Sequence, residues 1–236
     1  MDRNNNKKNL SKSPLRSGWY CGLLAALLAL AGCVTETPKP RMQAATGPSI
    51  WAEPQVYNCG PGVNFTVAFE LNQAWLMLPG RNVKLLPEQS PAGVQYKGEG
   101  VIFWAQDGEA MLVTPTERHV DCRIDPRATV WATAKQRGVD YRGIGNEPGW
   151  YVEIYDNERI VIVTDYGTKW HELGASPAEV NAAQGLTRYR TRYETQEVVI
   201  EIQKKACNDT MSDEQFETAV RAQIGARTYY GCGRFL

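Results

Sequence analysis

Histidine is scarce in this sequence, because only His119 and His171 occur among 236 residues. Zinc sites are built mainly from several His and Cys ligands, and the cysteines show no CxxC spacing. We therefore expect neither a metal site nor another cofactor. An excess of charge of one sign is also missing, since 26 Lys and Arg balance 26 Asp and Glu. A nucleic-acid binder needs a basic face that neutralises phosphates, so we expect no nucleic-acid partner.

Hydrophobic runs are short, and none reaches the roughly 20 residues that a membrane-spanning helix needs. The apolar run Gly22–Gly32 follows a basic segment that contains Arg3, Lys8 and Arg16. A basic segment before a short apolar run is typical of an export signal. We therefore predict that residues 1–32 are a signal peptide and not part of the fold.

The apolar run ends in Leu30-Ala31-Gly32-Cys33, which resembles the lipobox of bacterial lipoproteins. The resemblance implies cleavage before Cys33 and lipidation of Cys33, and several acyl chains would hold the protein stably at the membrane. Val34, rather than Asp, resembles default sorting to the outer membrane of Gram-negative bacteria. We therefore expect an outer-membrane lipoprotein of the cell envelope that faces the periplasm, with residues 33–55 as its tether. The alternative is an ordinary secretory signal followed by a chance cysteine.

Four cysteines remain once Cys21 has left with the signal and Cys33 carries lipid: Cys59, Cys122, Cys207 and Cys232. In an oxidising compartment these form disulfides, and four cysteines allow three pairings. The organisation of the chain favours Cys59–Cys122 and Cys207–Cys232, with one bridge in each domain.

Short β-patterns separated by turn residues predict two domains. In the first, residues 56–124, Val63, Phe65, Val67 and Phe69 alternate as in a half-buried strand, and further strands are predicted at 74–78, 83–86, 101–104 and 110–113. In the second, residues 139–236, strands are predicted at 151–154, 159–164, 186–193, 197–203, 218–224 and 227–230. The fold class is therefore all-β, with two small antiparallel β-barrel-like domains.

Helical signals are few. The linker 125–138 contains a brief predicted helix at Ala128–Gln136. Two capping boxes, which begin at Ser176 and Ser212, each predict a short helical turn.

Residues 57–122 resemble the C-type lysozyme inhibitor family, the membrane-bound and periplasmic inhibitors called MliC and PliC. The resemblance rests on Tyr57-x-Cys59, Phe65-x-Val67-x-Phe69, Ala74-x-Leu76-x-Leu78-Pro79-Gly80, Gly93-x-x-Tyr96, Phe103-Trp104 and the closing Cys122. It implies a small antiparallel barrel, a C-type lysozyme as partner and inhibition by loops that enter the active-site cleft.

The resemblance also implies contact residues, although the sequence departs from the family at both contact loops. The family presents a Ser from an SGxxY loop and a Lys from a TKG-type hairpin to the two lysozyme carboxylates. This chain has Ala92 in place of the Ser and Gln106 in place of the Lys. The predicted contact residues are Ser90, Gly93, Tyr96, Lys97 and Gln106, with Lys97 supplying the missing charge. The alternative is a non-inhibitory envelope lipoprotein, structural or ligand-binding, on the same β scaffold.

Residues 139–235 resemble an uncharacterised domain of bacterial envelope lipoproteins, on a GxGNEPxW segment at 143–150, a CxDxMSD segment at 207–213 and a terminal Gly231-Cys232. No activity comes with this resemblance. Asp209 and Asp213 could form a carboxylate pair for acid–base work or cap a turn beside a disulfide. Because no nucleophilic triad is supported, we predict no catalytic residue and no enzyme.

Overall fold

The computed structural model describes residues 47–49, 51–91, 93–156 and 158–236. The predicted signal peptide, Cys33, most of the predicted tether and Ala92 lie outside these residues. The described residues belong to one compact unit, Ala44–Leu236. They form a closed barrel and a nine-stranded sheet, so the predicted all-β class with antiparallel barrels is confirmed.

The barrel consists of eight antiparallel strands in chain order, each paired with the next, and it closes where Tyr57 of the first strand lies opposite Ile124 of the last. Its strands are β1 (Glu53–Asn58), β2 (Asn64–Glu70), β3 (Gln73–Leu78), β4 (Arg81–Ser90), β5 (Gly93–Gly98), β6 (Val101–Gln106), β7 (Glu109–Val113) and β8 (Arg118–Ile124). Closure leaves the barrel without an unpaired edge, which prevents edge-to-edge association.

Alternate residues of the strands fill the barrel interior with aromatic rings. The ring centroid of Tyr57 lies 5.4 Å from those of both Phe65 and Phe103. Phe69 and Tyr96 extend the cluster, with their centroids 5.6 Å apart. These separations are typical of favourable aromatic pairs. The predicted disulfide Cys59–Cys122 is present and links the residue after β1 to β8.

Five barrel strands confirm the sequence patterns, whereas β1, β5 and β8 were not predicted. β1 begins at Glu53, within the range predicted as tether. β8 has the sequence RHVDCRI, and only its Cys122 is buried. A strand with so few buried residues carries no alternating pattern that a sequence analysis could detect.

The sheet is antiparallel, with strand order β12-β11-β10-β9-β17-β16-β15-β14-β13. Its strands are β9 (Tyr141–Asn146), β10 (Gly149–Tyr155), β11 (Arg159–Thr164), β12 (Lys169–Gly174), β13 (Glu179–Asn181), β14 (Leu186–Tyr193), β15 (Gln196–Asn208), β16 (Gln215–Ile224) and β17 (Arg227–Phe235), with a 3-10 turn at Ala182–Gln184. The sheet curls until β14 approaches β12, where Thr191 Oγ1 donates a hydrogen bond to the carbonyl of Gly174 at 2.6 Å. The predicted second barrel-like domain is therefore a half-barrel.

The concave face of the half-barrel buries a β-branched core. Ile154, Ile160, Ile162 and Ile200 are almost fully buried, and Trp150 closes one end of this cluster. The predicted disulfide Cys207–Cys232 joins β15 to β17 on the other face. The predicted strands at 159–164 and 186–193 coincide with β11 and β14.

The helix α1 (Pro126–Gln136) connects the barrel to the sheet and confirms the predicted brief helix, with a start two residues earlier. Asp125 is its N-cap and accepts a hydrogen bond from the backbone N–H of Ala128 at 2.9 Å. Pro126 stands at the start of the helix, where its missing N–H costs no hydrogen bond. The N-cap and the proline therefore fix where the helix begins.

A buried carboxylate ties the end of α1 to the sheet. Glu153 of β10 is 1% exposed. Arg137, at the C-cap of α1, donates to Glu153 at 2.8 Å, and Arg142 of β9 donates to the same oxygen. The Tyr155 hydroxyl donates to the other oxygen at 2.8 Å. Two cations and a hydroxyl thus compensate for the removal of this carboxylate from water.

Both predicted capping boxes are wrong as helix starts. After Ser176 no helix forms, and Glu179 opens β13, where its carboxylate pairs with Arg188 and Arg190 of β14. Ser212 lies in a hydrogen-bonded turn that leads directly into β16. After Ser176, strand pairing outweighs the local capping signal. At Ser212, a short turn forms the backbone hydrogen bonds that a helix would otherwise form.

Candidate functional site

One end of the barrel is open and encloses a cavity of about 700 Å³, which we call the mouth. Its nine lining residues include the predicted contact residues Tyr96 and Gln106. Phe69 forms its inner wall, Tyr57 its floor, and Glu53 lies at the start of β1 on its rim. The mouth is therefore an aromatic cup with a polar edge.

Three hairpin turns surround the mouth, because the strands that precede them contribute to its lining. They are the turn after β2 with Leu71, the turn after β4 with Pro91 and the turn after β6 with Asp107. Asp107 and Gly108 both have positive φ, 53° and 83°, as a tight two-residue hairpin turn requires. These three turns therefore form the rim of the mouth.

The floor of the mouth is a neutral phenol. Tyr57 is 1% exposed, and its hydroxyl donates to Gln55 Oε1 at 2.6 Å. Burial, assisted by the nearby Tyr96, raises the pKa of Tyr57 to about 12. The Tyr57 hydroxyl therefore keeps its proton across the physiological range.

The predicted contact residues divide into two groups. Tyr96 and Gln106 line the mouth, and Ser90 faces Gly93 across the β4–β5 hairpin at its rim. Lys97 does not share this position. Because neighbouring side chains of a strand alternate between faces, Lys97 points away from the barrel interior that Tyr96 enters. Its ammonium pairs with Glu88 at 3.0 Å on the outer surface.

The charge at the mouth is negative. Glu53 lies on the rim, and the Asp107 carboxylate accepts a hydrogen bond from Gln106 Nε2 at 3.3 Å. Among the described residues that line the mouth, none is Lys or Arg. The mouth therefore offers amide and phenol donors without a cation.

Leu71 is a feature of this end that the sequence analysis missed. It is 97% exposed at the tip of the β2–β3 hairpin, next to a strand whose Phe69 lines the mouth. An exposed apolar side chain among polar loop residues is informative when it adjoins a cavity. Its signal in the sequence was a leucine in a turn between two strands.

The two signature segments of the second domain come together on the sheet. Asn146 and the hydroxyl of Ser212 both donate to the carboxylate of Asp209, which is 9% exposed. Burial by itself would raise the pKa of Asp209, but these hydrogen bonds outweigh it and lower that pKa. Asp213 is exposed, and its backbone N–H donates to the carbonyl of Asp209 at 2.9 Å. The two aspartates therefore shape a turn and do not face each other across a cleft.

Metal-ligating clusters and membrane-spanning helices are both absent from the described residues. No group of three His, Cys, Asp or Glu residues in that part of the chain could hold a metal ion. His119 pairs with Glu117 at 3.0 Å, and the His171 ring lies 4.4 Å from the Tyr193 ring. None of the helices in the same residues has the length and apolar character to cross a membrane.

Comparison with known proteins supports the resemblance of the barrel. Residues 57–121 match the model of the family described as membrane-bound lysozyme-inhibitor of c-type lysozyme, MliC. The matched segment contains most of the barrel, so the resemblance predicted for residues 57–122 is confirmed. No curated protein and no solved structure matches the chain. The resemblance of residues 139–235 to an envelope lipoprotein domain stays a prediction.

Proposed function

We propose that this chain is a lipid-anchored envelope protein whose barrel mouth binds a C-type lysozyme and blocks its active-site cleft. The observation that carries the proposal is the position of the mouth. The segment that matches the inhibitor family folds into a closed barrel, and its open end brings Tyr96, Gln106 and the Ser90 hairpin together. The family is one of inhibitors and not of enzymes, which agrees with a binding role.

The chemistry of the mouth suits such a target. Lysozyme cleaves its substrate with a protonated carboxylic acid and an ionised carboxylate. The amide of Gln106 and the phenol of Tyr96 are hydrogen-bond donors that a carboxylate oxygen can accept. Leu71, at the tip of a neighbouring hairpin, adds apolar surface that a cleft wall can bury.

The affinity should be weaker than that of a mouth with a lysine. A charge-assisted hydrogen bond contributes about 1.5–3 kcal/mol and a neutral one about 0.5–1.5 kcal/mol. Gln106 in place of a lysine should therefore reduce the binding free energy by roughly 1–2 kcal/mol, which is about 5–30-fold in affinity. Lys97 does not offset this loss, because its ammonium pairs with Glu88 on the outer surface.

Membrane attachment through Cys33 is part of the proposal. The family description contains the word membrane-bound, and the lipobox-like segment 30–33 offers a route to that state. An outer-membrane position facing the periplasm would place the barrel where an incoming lysozyme meets its substrate.

A second candidate function is ligand binding or a structural role without inhibition. It is favoured by the negative charge of the mouth, where Glu53 and Asp107 would repel an ionised lysozyme carboxylate. Under this alternative the barrel keeps the family fold and has lost the family target.

The test is inhibition of a C-type lysozyme acting on purified peptidoglycan by the full-length chain in a mild detergent. We expect inhibition by the parent and at least about tenfold weaker inhibition by Leu71→Asp, which places a carboxylate at the mouth. Val180→Asp is the matched control, because Val180 is also an exposed apolar residue, at 70%, but lies on the sheet. Absence of inhibition by the parent at micromolar concentration, or equal loss in both variants, would favour the second candidate function.

A further inference from the structure

A second cavity, of about 490 Å³, lies on the outer face of the sheet. We call it the sheet cavity. Its lining includes Asn146, Asp209 and Cys232, one from each of the three segments that carry the resemblance of the second domain. Its volume falls in the range of roughly 300–1,000 Å³ that is usual for small-molecule sites. The barrel and its mouth contribute none of the lining residues.

Strand register explains the shape of the sheet cavity. One row of directly opposed residues crosses β15, β16 and β17 as Glu201, Arg221 and Tyr230. The next row crosses the same strands as Gln203, Ala219 and Cys232. Because the small side chain of Ala219 stands between two larger neighbours, the face is depressed at that point, and the first row forms a wall beside it.

The charged groups in the wall are already paired. Glu201 Oε1 accepts from Arg188 Nε at 2.8 Å, and Glu201 Oε2 accepts from Arg221 Nε at 2.8 Å. Glu147, Glu201 and Asp209 line the sheet cavity and exceed its single arginine, Arg221. An anionic ligand such as a phosphate would meet net negative charge, so the sheet cavity favours an uncharged polar ligand.

Tyr230 supplies an exposed aromatic ring at the edge of this polar cavity. It is 71% exposed, although the indole of Trp150 donates to its carbonyl at 3.0 Å and a disulfide holds Cys232 two residues further on. The backbone is therefore fixed while the ring faces solvent. The negative face of an aromatic ring attracts C–H groups, and a sugar ring presents an apolar C–H face with hydroxyl groups around its edge.

Apolar and aromatic side chains continue from the sheet cavity along the second row. Ile144 lines the sheet cavity and lies directly opposite Tyr151. The Arg142 guanidinium covers one face of the Tyr151 ring at 4.3 Å, and the ring of Trp170, which is 56% exposed, lies 6.4 Å from that of Tyr151. Neighbouring strands are about 4.8 Å apart, so this surface extends well beyond a single sugar ring. A chain of several sugars fits the arrangement better than a monosaccharide.

We propose that the sheet cavity binds an uncharged segment of an oligosaccharide. One sugar ring stacks on Tyr230, and its hydroxyl groups bind the amides of Asn146 and Gln203 and the Glu201–Arg221 pair. The carboxylate of Asp209 is occupied by Asn146 and Ser212, so the site binds sugar without a free base to cleave it. This inference does not depend on lysozyme binding by the mouth.

Calorimetric titration of the full-length chain, in a detergent without sugar head groups, tests the proposal. The probes are the tetramer of N-acetylglucosamine and the tetramer of glucose, and no lysozyme is present. We expect saturable binding of at least one of them. Preference for the N-acetylated probe would indicate an amino-sugar polymer such as peptidoglycan, and preference for the glucose tetramer a neutral polysaccharide.

Variants locate the site. Tyr230→Ala should weaken binding at least about tenfold, whereas Tyr230→Phe, which keeps the ring, should retain it. Tyr166→Ala is the matched control, because Tyr166 is 76% exposed and lies outside the sheet cavity. Ala219→Gln fills the depression and should also weaken binding at least about tenfold. Because Ala219 and Tyr230 lie on different strands, loss of binding in both variants is not explained by the misfolding of one of them. No binding of either probe, or binding that survives both Tyr230→Ala and Ala219→Gln, would overturn the proposal.

Discussion

The barrel and the sheet expose their candidate binding surfaces in different ways. In the barrel the concave face is filled by Tyr57, Phe65 and Phe103, so only an end remains open, and hairpin tips shape it. In the sheet the convex face is free over several strands, and register rows such as Glu201–Arg221–Tyr230 shape it. Turn residues can change without disturbing a core, whereas residues in a row also support their neighbours. The proposed binding surface of the barrel can therefore change more easily than that of the sheet.

The two disulfides allow a direct comparison of the barrel and the sheet, and their removal should cause the largest loss of stability. Cys59–Cys122 closes a loop with a sequence separation of 63, and Cys207–Cys232 closes one of 25. By loop entropy, replacing each pair with alanines should lower the free energy of unfolding by about 4 and about 3.5 kcal/mol, respectively. Urea unfolding of the two double variants measures this. A larger loss for Cys207–Cys232 would mean that strain or residual structure, and not loop length, dominates.

Glu153 is a buried carboxylate with no counterpart among the described residues of the barrel, and its substitution gives the next largest expected loss of stability. Glu153→Gln leaves the buried Arg142 without a counter-ion, so we expect a loss of about 3 kcal/mol in the free energy of unfolding. Glu172→Gln is the control, because Glu172 and Arg159 form an exposed pair, and its loss should be below about 0.5 kcal/mol. Equal losses in the two variants would contradict the stabilising role of the contact between α1 and the sheet.

Alkaline pH should weaken the barrel through Tyr57. Burial raises the folded-state pKa of Tyr57 to about 12, above the ordinary value of about 10. Between these values the unfolded chain loses the proton that the folded chain keeps, so stability falls as pH rises and is unaffected below pH 10. The fall from about pH 10 to about pH 12 should be about 2 kcal/mol smaller in Tyr57→Phe. Urea unfolding across this range would show no such difference if Tyr57 were freely hydrated.

Much of the fold could be predicted because burial leaves a pattern in the sequence. β11 and β14 begin and end where their patterns do, and the one predicted helix carries an N-cap aspartate. β9 escaped prediction because two of its six residues are glycines. A Cβ at Gly145 would lie 2.3 Å from the carbonyl oxygen of Tyr230, and one at Gly143 would lie 2.7 Å from a methyl of Val220. These glycines are needed because other strands pack closely against β9 in the folded protein. No local pattern in the sequence reveals that packing.

The candidate site could be predicted in part. Gly93, Tyr96 and Gln106 followed from the family pattern, and the structure gathers them at one end of the barrel. Lys97 points outward because side chains alternate between the two faces along β5. A resemblance between loops does not specify which face a given residue occupies. Leu71 was missed because it belongs to the mouth only through its position beside two other hairpins, which are distant from it in the chain. The sheet cavity was missed for the same reason, since its walls come from five separate strands.

The inhibition constant of Gln106→Lys against a C-type lysozyme tests whether the mouth binds lysozyme. The change introduces a cation at the mouth without touching the core, so we expect inhibition about 5–30-fold stronger than that of the parent. Thr116→Lys adds the same charge in the exposed β7–β8 loop at the opposite end of the barrel and should leave the constant unchanged. An unchanged constant for Gln106→Lys, or an equal gain for Thr116→Lys, would contradict the claim that the mouth is the surface that meets lysozyme.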